Sequence, residues 1–382
     1  MRPLAAFAVL AIGCAAWADE PPLTLRGRET PPRGVIVAVS SDGVAVRDGS
    51  ASPVVVPWDK VLVVRGKHAA TAEAYMPMAE RAWRAKARLE RGDVPGAEPL
   101  FEELFDSMHD NRGPTGERIA LGLLRCRLAR GAQSLAVAPW IMYLRARETG
   151  GVPAVGDDAL ADGVVDSETG LVADVPPMWV PGPAVRVLAL GGSLSALAPY
   201  STRAEAYAAL YLHAARAASG VESAIPAVTS RDPGVEFVAR IVTATTAPDS
   251  TARAAARSSL APCMDSNAPS WQQAWARLAV GRSLLMEADE SARRLGVIEL
   301  LTVPALFERE LPYLAGIALA DAAVALESLG DPVGAWRLRA ELLTRFAGHP
   351  ACEWDAIRRH GQDVGEQAAF GSRSQSTEIA GR

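Results

Sequence analysis

The residues of this chain that could bind metals or transfer protons are widely scattered. The histidines His68, His109, His213, His349 and His360 form no H-E-x-x-H motif and no zinc-type spacing with the cysteines. The chain also lacks a G-x-G-x-x-G fingerprint and a Walker-type glycine loop. The sequence therefore predicts neither a metal site nor a cofactor site, and no catalytic residue can be named from it.

One serine motif and several acidic groups are the residues closest to hydrolase chemistry. Around Ser193 the sequence LGGSLSAL places Ser195 where the second glycine of a G-x-S-x-G elbow is needed, so an ordinary turn is predicted. Acidic residues occur in turn-like sequence, at Asp157 and Asp158 and at Asp166. Carboxylates from separate helices could still meet in a groove, which keeps a hydrolase of envelope polysaccharide or peptidoglycan open as an alternative.

Composition indicates a chain that folds largely into packed helices. Of its 382 residues, 49% are apolar and 22% are charged, which is enough apolar material for a substantial core. Much of the apolar content is alanine, the strongest helix former. The net charge of −5 gives no electrostatic basis for binding nucleic acid.

The first 18 residues have the features of a secretory signal. A basic residue, Arg2, precedes a short apolar run that ends in Ala16-Trp17-Ala18, so cleavage is expected after Ala18 and the mature protein is expected to be periplasmic or secreted. The apolar run is too short for a transmembrane segment. Residues 11–14, AIGC, partly resemble a lipobox, so a lipid anchor at Cys14, and with it a structural lipoprotein, stays open as a second alternative.

A short β module is predicted between the signal and the helices. Residues 19–32 are polar and proline-rich, which predicts a flexible tether. Residues 33–66 contain four short runs of β-branched residues separated by turn sequences such as Ser41-Asp42-Gly43, a pattern typical of an antiparallel meander. The module resembles an SH3-like barrel fragment. Because its core is small, we expect it to pack against the helices that follow.

Helical periodicity covers most of the remaining chain. Apolar residues recur at three- and four-residue steps over 69–148 and 182–367, predicting helical hairpins in both regions. The glycine- and proline-rich residues 149–181 predict an irregular connection, either a long functional loop or a break between two helical blocks, of which we favour the break. Residues 368–382 are expected to form a disordered tail.

Two turns share one sequence pattern. Residues 92–100, GDVPGAEPL, and 330–338, GDPVGAWRL, both read G-D-x-x-G-A-x-x-L. We expect each first glycine, Gly92 and Gly330, to adopt a positive φ at a helix end. We expect each aspartate, Asp93 and Asp331, to cap the next helix. The alanines, Ala97 and Ala335, are expected where the two helices come closest.

This helix-turn-helix pattern resembles the tetratricopeptide repeat, a 34-residue unit that stacks into a superhelical solenoid. The resemblance implies a concave surface that holds a protein or peptide partner. Tyr207 with Tyr211, and Trp271 with Trp275, lie four residues apart and are the candidate groove residues. Aromatic pairs at this spacing serve either as core packing or as exposed anchors. The resemblance thus implies an exported, non-enzymatic binding scaffold of the bacterial cell envelope.

The cysteine count excludes a disulfide framework. Three cysteines follow the signal, and Cys126 lies in an apolar helical run where we expect it to be a small core residue. A Cys263–Cys352 disulfide is the pairing worth testing.

Overall fold

The computed structural model of the chain describes residues 21–358 apart from residues 50, 109, 150–162, 192–193, 195–201 and 266. The predicted signal with Cys14, and the predicted tail, lie outside these ranges. Within them the chain is mainly helical, its helices pack largely in sequence order, and a small antiparallel β module precedes them. This architecture confirms the predicted fold class.

The β module contains two small antiparallel sheets, one pairing β1 with β5 and one ordered β2-β3-β4. The tether prediction is wrong for residues 23–25, because Leu23 and Leu25 are buried and their strand pairs with Val61–Val64. The strands are β1 (Leu23–Leu25), β2 (Val35–Ser40), β3 (Gly43–Arg47), β4 (Val54–Val56) and β5 (Val61–Val64).

Trp58 joins the β module to the helices. Its ring is fully buried, its indole N–H donates to the carbonyl of Ser40 at 2.9 Å, and its face stacks on Tyr75 at a centroid distance of 5.1 Å. The backbone N–H of Trp58 donates to the hydroxyl of Thr115 at 3.0 Å. The module therefore shares a hydrophobic core with the first helices, as its size led us to expect.

From α2 onward the helices form successive hairpins, and each packs on its neighbours along the chain. None of the helices in the described ranges is both long enough and apolar enough to span a membrane. Their bounds are α1 (Ala69–Glu73), α2 (Met76–Glu90), α3 (Val94–Met108), α4 (Pro114–Ala129), α5 (Gln133–Thr149), α6 (Pro183–Ala189), α7 (Arg203–Ala218), α8 (Pro233–Thr246), α9 (Ser250–Leu260), α10 (Ser270–Leu285), α11 (Glu290–Phe307), α12 (Pro312–Ser328) and α13 (Pro332–Arg345).

The two turns with a common sequence have the same backbone geometry. Gly92 and Gly330 end α2 and α12 with φ values of 78° and 83°. The N–H of Gly92 donates to the carbonyl of Leu89 at 2.9 Å, and the N–H of Asp93 donates to that of Arg88 at 3.0 Å. These two bonds are a Schellman motif, and the corresponding pair is present after α12. Glycine is required because other residues adopt this φ at a cost.

The aspartates of both turns cap the following helix. Oδ1 of Asp93 accepts from the N–H of Gly96 at 3.0 Å, and Oδ1 of Asp331 accepts from the N–H of Gly334 at 2.8 Å. A Cβ added to either of these glycines would lie within 2.4 Å of the other oxygen of its capping carboxylate. The second glycine of the pattern therefore leaves room for the cap, a reason that the sequence pattern alone did not reveal.

The alanines of the pattern lie in the helix contacts. Ala97 in α3 and Ala335 in α13 are completely buried, as are Ala85 in α2 and Ala323 in α12 on the partner helices. Small side chains on both helices allow close approach of the two axes. Hairpin geometry is thus set by a turn and a contact that repeat at both ends of the helical region.

Candidate binding site

Residues 163–181, here called the inner segment, run through the interior of the helical array. They form neither helix nor strand, yet Leu171, Val172 and Val175 are almost completely buried. One continuous core contains these residues together with helices from both sides of the segment. The predicted break between two helical blocks is therefore wrong for the described part of 149–181, because this segment joins the two blocks.

Four aromatic side chains hold the backbone of the inner segment. A buried irregular backbone needs hydrogen-bond partners, and a buried tyrosine or tryptophan needs a partner for its polar tip. Helices α5, α7 and α10 satisfy both needs with one set of contacts. The hydrogen bonds are Trp140 Nε1–Gly170 O at 2.8 Å, Tyr207 OH–Thr169 O at 2.6 Å, Tyr211 OH–Val175 O at 2.5 Å and Trp275 Nε1–Ala173 O at 2.9 Å.

The groove prediction is consequently wrong for three of its four residues. Tyr207, Tyr211 and Trp275 are fully buried beneath the inner segment, which occupies the surface that these side chains were predicted to expose. Burial raises the pKa of both tyrosine hydroxyls, so they stay protonated as donors. Trp271 is only partly buried and lines a cavity beside the segment.

A cavity of about 1030 Å³, here called the larger cavity, lies beside the first half of the inner segment. Its lining includes Glu148, Asp166, Asp232, Arg203 and Trp271. Acidic residues beside an aromatic wall are what the hydrolase alternative would require. The hydrogen bonds of these carboxylates show whether they are available for catalysis or hold the backbone in place.

Each of the three carboxylates accepts a hydrogen bond from at least one backbone N–H group. Asp232 accepts from the first N–H groups of α8 at 3.0 Å and pairs with Arg203, whose Nε lies 2.7 Å from Oδ2. Glu148 accepts from the N–H of Ala204 at 3.0 Å. Asp166 accepts from the N–H and the hydroxyl of Thr169 at 2.8 and 2.7 Å. These contacts assign the acidic residues of the larger cavity to holding helix starts and the inner segment.

A second cavity of about 520 Å³, here called the smaller cavity, lies at the other end of the inner segment. Met178, Trp179 and Pro181 form one wall, and residues of α7, α8, α10, α11 and α12 form the others together with Trp354. Much of this lining is apolar. The charged residues in it are Arg282, Arg293 and Asp321.

Arg282 and Asp321 neutralise each other in the wall of the smaller cavity. Nε of Arg282 lies 2.6 Å from Oδ2 of Asp321, and little of either side chain is exposed. Burial raises the pKa of Asp321, and Arg282 opposes that effect. Sequence reasoning missed this pair, and the signal that could have indicated it is the lone aspartate inside the apolar run of α12.

Two residues that line the smaller cavity each have a buried donor without an acceptor within the described ranges. Nε of the partly buried Arg293 makes no hydrogen bond, and neither does the indole N–H of Trp179, which is 2% exposed. Arg293 also has no carboxylate partner among the described residues. No pattern in the sequence distinguished Arg293 from its neighbours, because pairing is decided by residues far along the chain.

His213 lies beside the smaller cavity and has a structural role. Its Nε2 is 3.0 Å from the hydroxyl of Thr246, and its Nδ1 is 2.9 Å from the hydroxyl of Ser223. The Thr246 hydroxyl also lies 2.7 Å from the carbonyl of Val242, to which it donates. Burial lowers the pKa of His213, which keeps the ring neutral.

Cysteines and potential metal ligands form no further site within the described ranges. Cys126, Cys263 and Cys352 are free thiols, and burial raises the pKa of Cys126 to about 12. No group of three or more His, Cys, Asp or Glu side chains in the described part of the chain could hold a metal ion. Ser193, Ser195, Asp157, Asp158, His109 and His360 lie outside the described residues.

Together these features define the protein broadly, as an array of helical hairpins that encloses an irregular segment of its own chain and carries an amphipathic cavity. Comparison with protein-family models, curated proteins and solved structures finds no match for this chain. The tetratricopeptide-like and SH3-like resemblances stay predictions.

Proposed function

We propose that this protein is an exported, non-enzymatic scaffold of the bacterial cell envelope that binds a protein or peptide partner on its helical hairpins. Residues 1–18 support the export, through their resemblance to a secretory signal. The hairpin array supports the binding role, since stacked hairpins expose long surfaces. The inner segment covers the surface around Tyr207 and Trp275, so we place the partner at the smaller cavity.

The observation that carries this proposal is the composition of the smaller cavity. Its walls combine aromatic and aliphatic side chains with Arg293, a guanidinium that no described carboxylate neutralises. At its rim Met286 is 45% exposed. Aromatic residues, methionine and arginine are the types enriched where proteins bind partners.

The hydrogen bonds of the carboxylates in the larger cavity argue against the hydrolase alternative. A glycosidase needs one carboxyl group that can donate a proton and a second that is free to act as base or nucleophile. Asp232 and Glu148 instead receive backbone N–H groups at helix starts. We therefore propose no reaction for this cavity.

A photo-crosslinking experiment tests the binding proposal. A photoreactive phenylalanine analogue replaces Met286 in one variant and Leu62 in another, in the native host. Leu62 is a matched control, because it is 42% exposed but lies in the β module. We expect Met286 to give a defined adduct that Leu62 does not give, and the protein identified in it to bind the purified chain. Equal adducts at both positions, or none at Met286, would contradict the proposal.

A further inference from the structure

The polar groups of the smaller cavity leave an excess of hydrogen-bond donors. The hydroxyls of Thr245 and Thr246 donate to carbonyls of their own helix, as does that of Ser328. The carboxylate of Asp321 is engaged by Arg282. Trp179 and Arg293 are left over, and both can only donate. The one carboxylate of the lining is thus engaged, and acceptors on a ligand suit this cavity better than donors.

The charges of the lining restrict the ligand further. Two arginines and one aspartate give a net charge of one positive (2 − 1 = +1) for the charged residues Arg282, Arg293 and Asp321. Because Asp321 pairs with Arg282, the excess charge belongs to Arg293. A cationic group beside an unpaired guanidinium would be repelled, whereas one negative charge would be neutralised.

The walls of the smaller cavity require an apolar body. Met178, Leu285 and Trp354 contribute to a lining in which aliphatic and aromatic side chains predominate, and the volume of about 520 Å³ is in the range of ligand pockets. A small inorganic anion would leave most of this apolar surface in contact with water. An anion that carries an apolar group would cover it.

We propose that the smaller cavity binds a carboxylate attached to an apolar body, with the carboxylate at Arg293 and the apolar body against the lining. Guanidinium groups match carboxylates in geometry and charge, which favours this anion for Arg293. The inference rests on the proposed binding function. The apolar C-terminus of a peptide carries such a carboxylate, and so does a free fatty acid.

Titration calorimetry with named probes tests the inference and separates the two sources. The full mature chain is titrated with decanoate, with decanol, and with a peptide ending in Leu-Phe that has either a free carboxylate or a C-terminal amide. We expect one of the two carboxylates to bind, and its uncharged counterpart to bind at least about tenfold more weakly. Binding of the peptide acid alone identifies a peptide C-terminus, and binding of decanoate alone identifies a fatty acid. The inference fails if neither carboxylate binds or if the uncharged probes bind equally.

Two neighbouring arginines provide a matched pair of variants. Arg293→Gln removes the unpaired charge, and Arg294→Gln removes a charge that is 63% exposed and paired with Glu290 at 2.7 Å. We expect Arg293→Gln to weaken the carboxylate probe by about tenfold or more, and Arg294→Gln to leave it unchanged. Circular dichroism checks that both variants fold, and equal binding by both would overturn the inference.

The inference and the proposed function can fail separately. A Met286-specific adduct with no binding of either carboxylate would leave the scaffold proposal standing and end the ligand assignment. Binding of decanoate with no adduct at Met286 would support the ligand assignment and contradict the scaffold proposal.

Discussion

The hydroxyl of Tyr207 donates a 2.6 Å hydrogen bond to the backbone carbonyl of Thr169, 38 residues away in the chain. Tyr207 lies in a regular helix and Thr169 in a segment without secondary structure, and both are buried. The bond replaces the solvent contact that an irregular backbone normally has. Because the segment is held in this way, it is part of the core and leaves room for cavities on either side.

Tyr207→Phe tests the contribution of this contact. The substitution keeps the ring and leaves the buried carbonyl of Thr169 without the tyrosine donor, so we expect the free energy of unfolding to fall by about 1–3 kcal/mol. Urea denaturation measures the loss, and limited proteolysis should reveal new cleavage within residues 163–181.

Tyr75→Phe is the matched control for this substitution. Its ring stacks on Trp58, and its hydroxyl makes no hydrogen bond within the described ranges. We expect an unchanged free energy of unfolding and an unchanged proteolysis pattern. An equal loss in both variants would mean that the Tyr207–Thr169 bond contributes little.

Ala335→Asp tests the contact between α12 and α13. The alanine is completely buried, so the substitution places a charge without a partner inside the hairpin and should cost several kcal/mol, about the range for a buried unsatisfied polar group. We expect a large decrease in the melting temperature. Ala255→Asp in α9 is the control, because that alanine is exposed. Equal melting temperatures in the two variants would show that Ala335 tolerates charge.

Gly316→Ala tests the packing of the His349 ring against α12. A Cβ at this position would lie 2.7 Å from the imidazole ring, which also contacts the carbonyl of Tyr313 through Nε2 at 2.9 Å. Replacing an exposed glycine inside a helix by alanine raises the free energy of unfolding by about 1 kcal/mol. Here we expect a loss of about 1–3 kcal/mol by urea denaturation, because the ring has to move.

A double-mutant cycle gives the control for this prediction. In the His349→Ala background there is no ring to displace, so Gly316→Ala should become neutral or stabilising. A penalty of the same size in both backgrounds would mean that a different neighbour is responsible.

The parts of this fold that sequence predicted are those set by local interactions. The turn at Gly92 and the cap at Asp93 involve residues within one helical turn of each other, so the pattern contains all that is needed. Helical periodicity likewise identified the hairpins. The same reasoning missed the strand at 23–25, because its pairing with Val61–Val64 is long-range and its composition is that of a linker.

The candidate site was beyond sequence reasoning for a related reason. The spacing of Tyr207 with Tyr211, and of Trp271 with Trp275, suits both a groove and a core, and only the position of the inner segment separates the two interpretations. The bond from Trp275 to Ala173 spans 102 residues. Composition predicted that residues 149–181 would be irregular, but it gave no indication that the described part would be buried.

Mild acid should destabilise the protein through His213 and His349. Burial lowers the pKa of both histidines from the ordinary value of 6.5. As the pH falls below that value, the unfolded chain takes up protons that the folded chain refuses, so the free energy of unfolding decreases until the folded pKa is reached. The decrease can reach about 1.4 kcal/mol per pH unit for each histidine. Above pH 6.5 this contribution to stability is fully present.

The bonds of His349 give the structural reason and the test. Nε2 faces the carbonyl of Tyr313 and donates to it, while Nδ1 accepts from the N–H of Ala351 at 3.0 Å. A proton on Nδ1 abolishes the second bond. We expect urea denaturation of the wild-type chain to show a loss of stability as the pH is lowered below 6.5. The double variant His213→Gln, His349→Gln should have a flatter pH profile whatever its absolute stability. A slope equal to that of the wild type would show that other groups take up these protons.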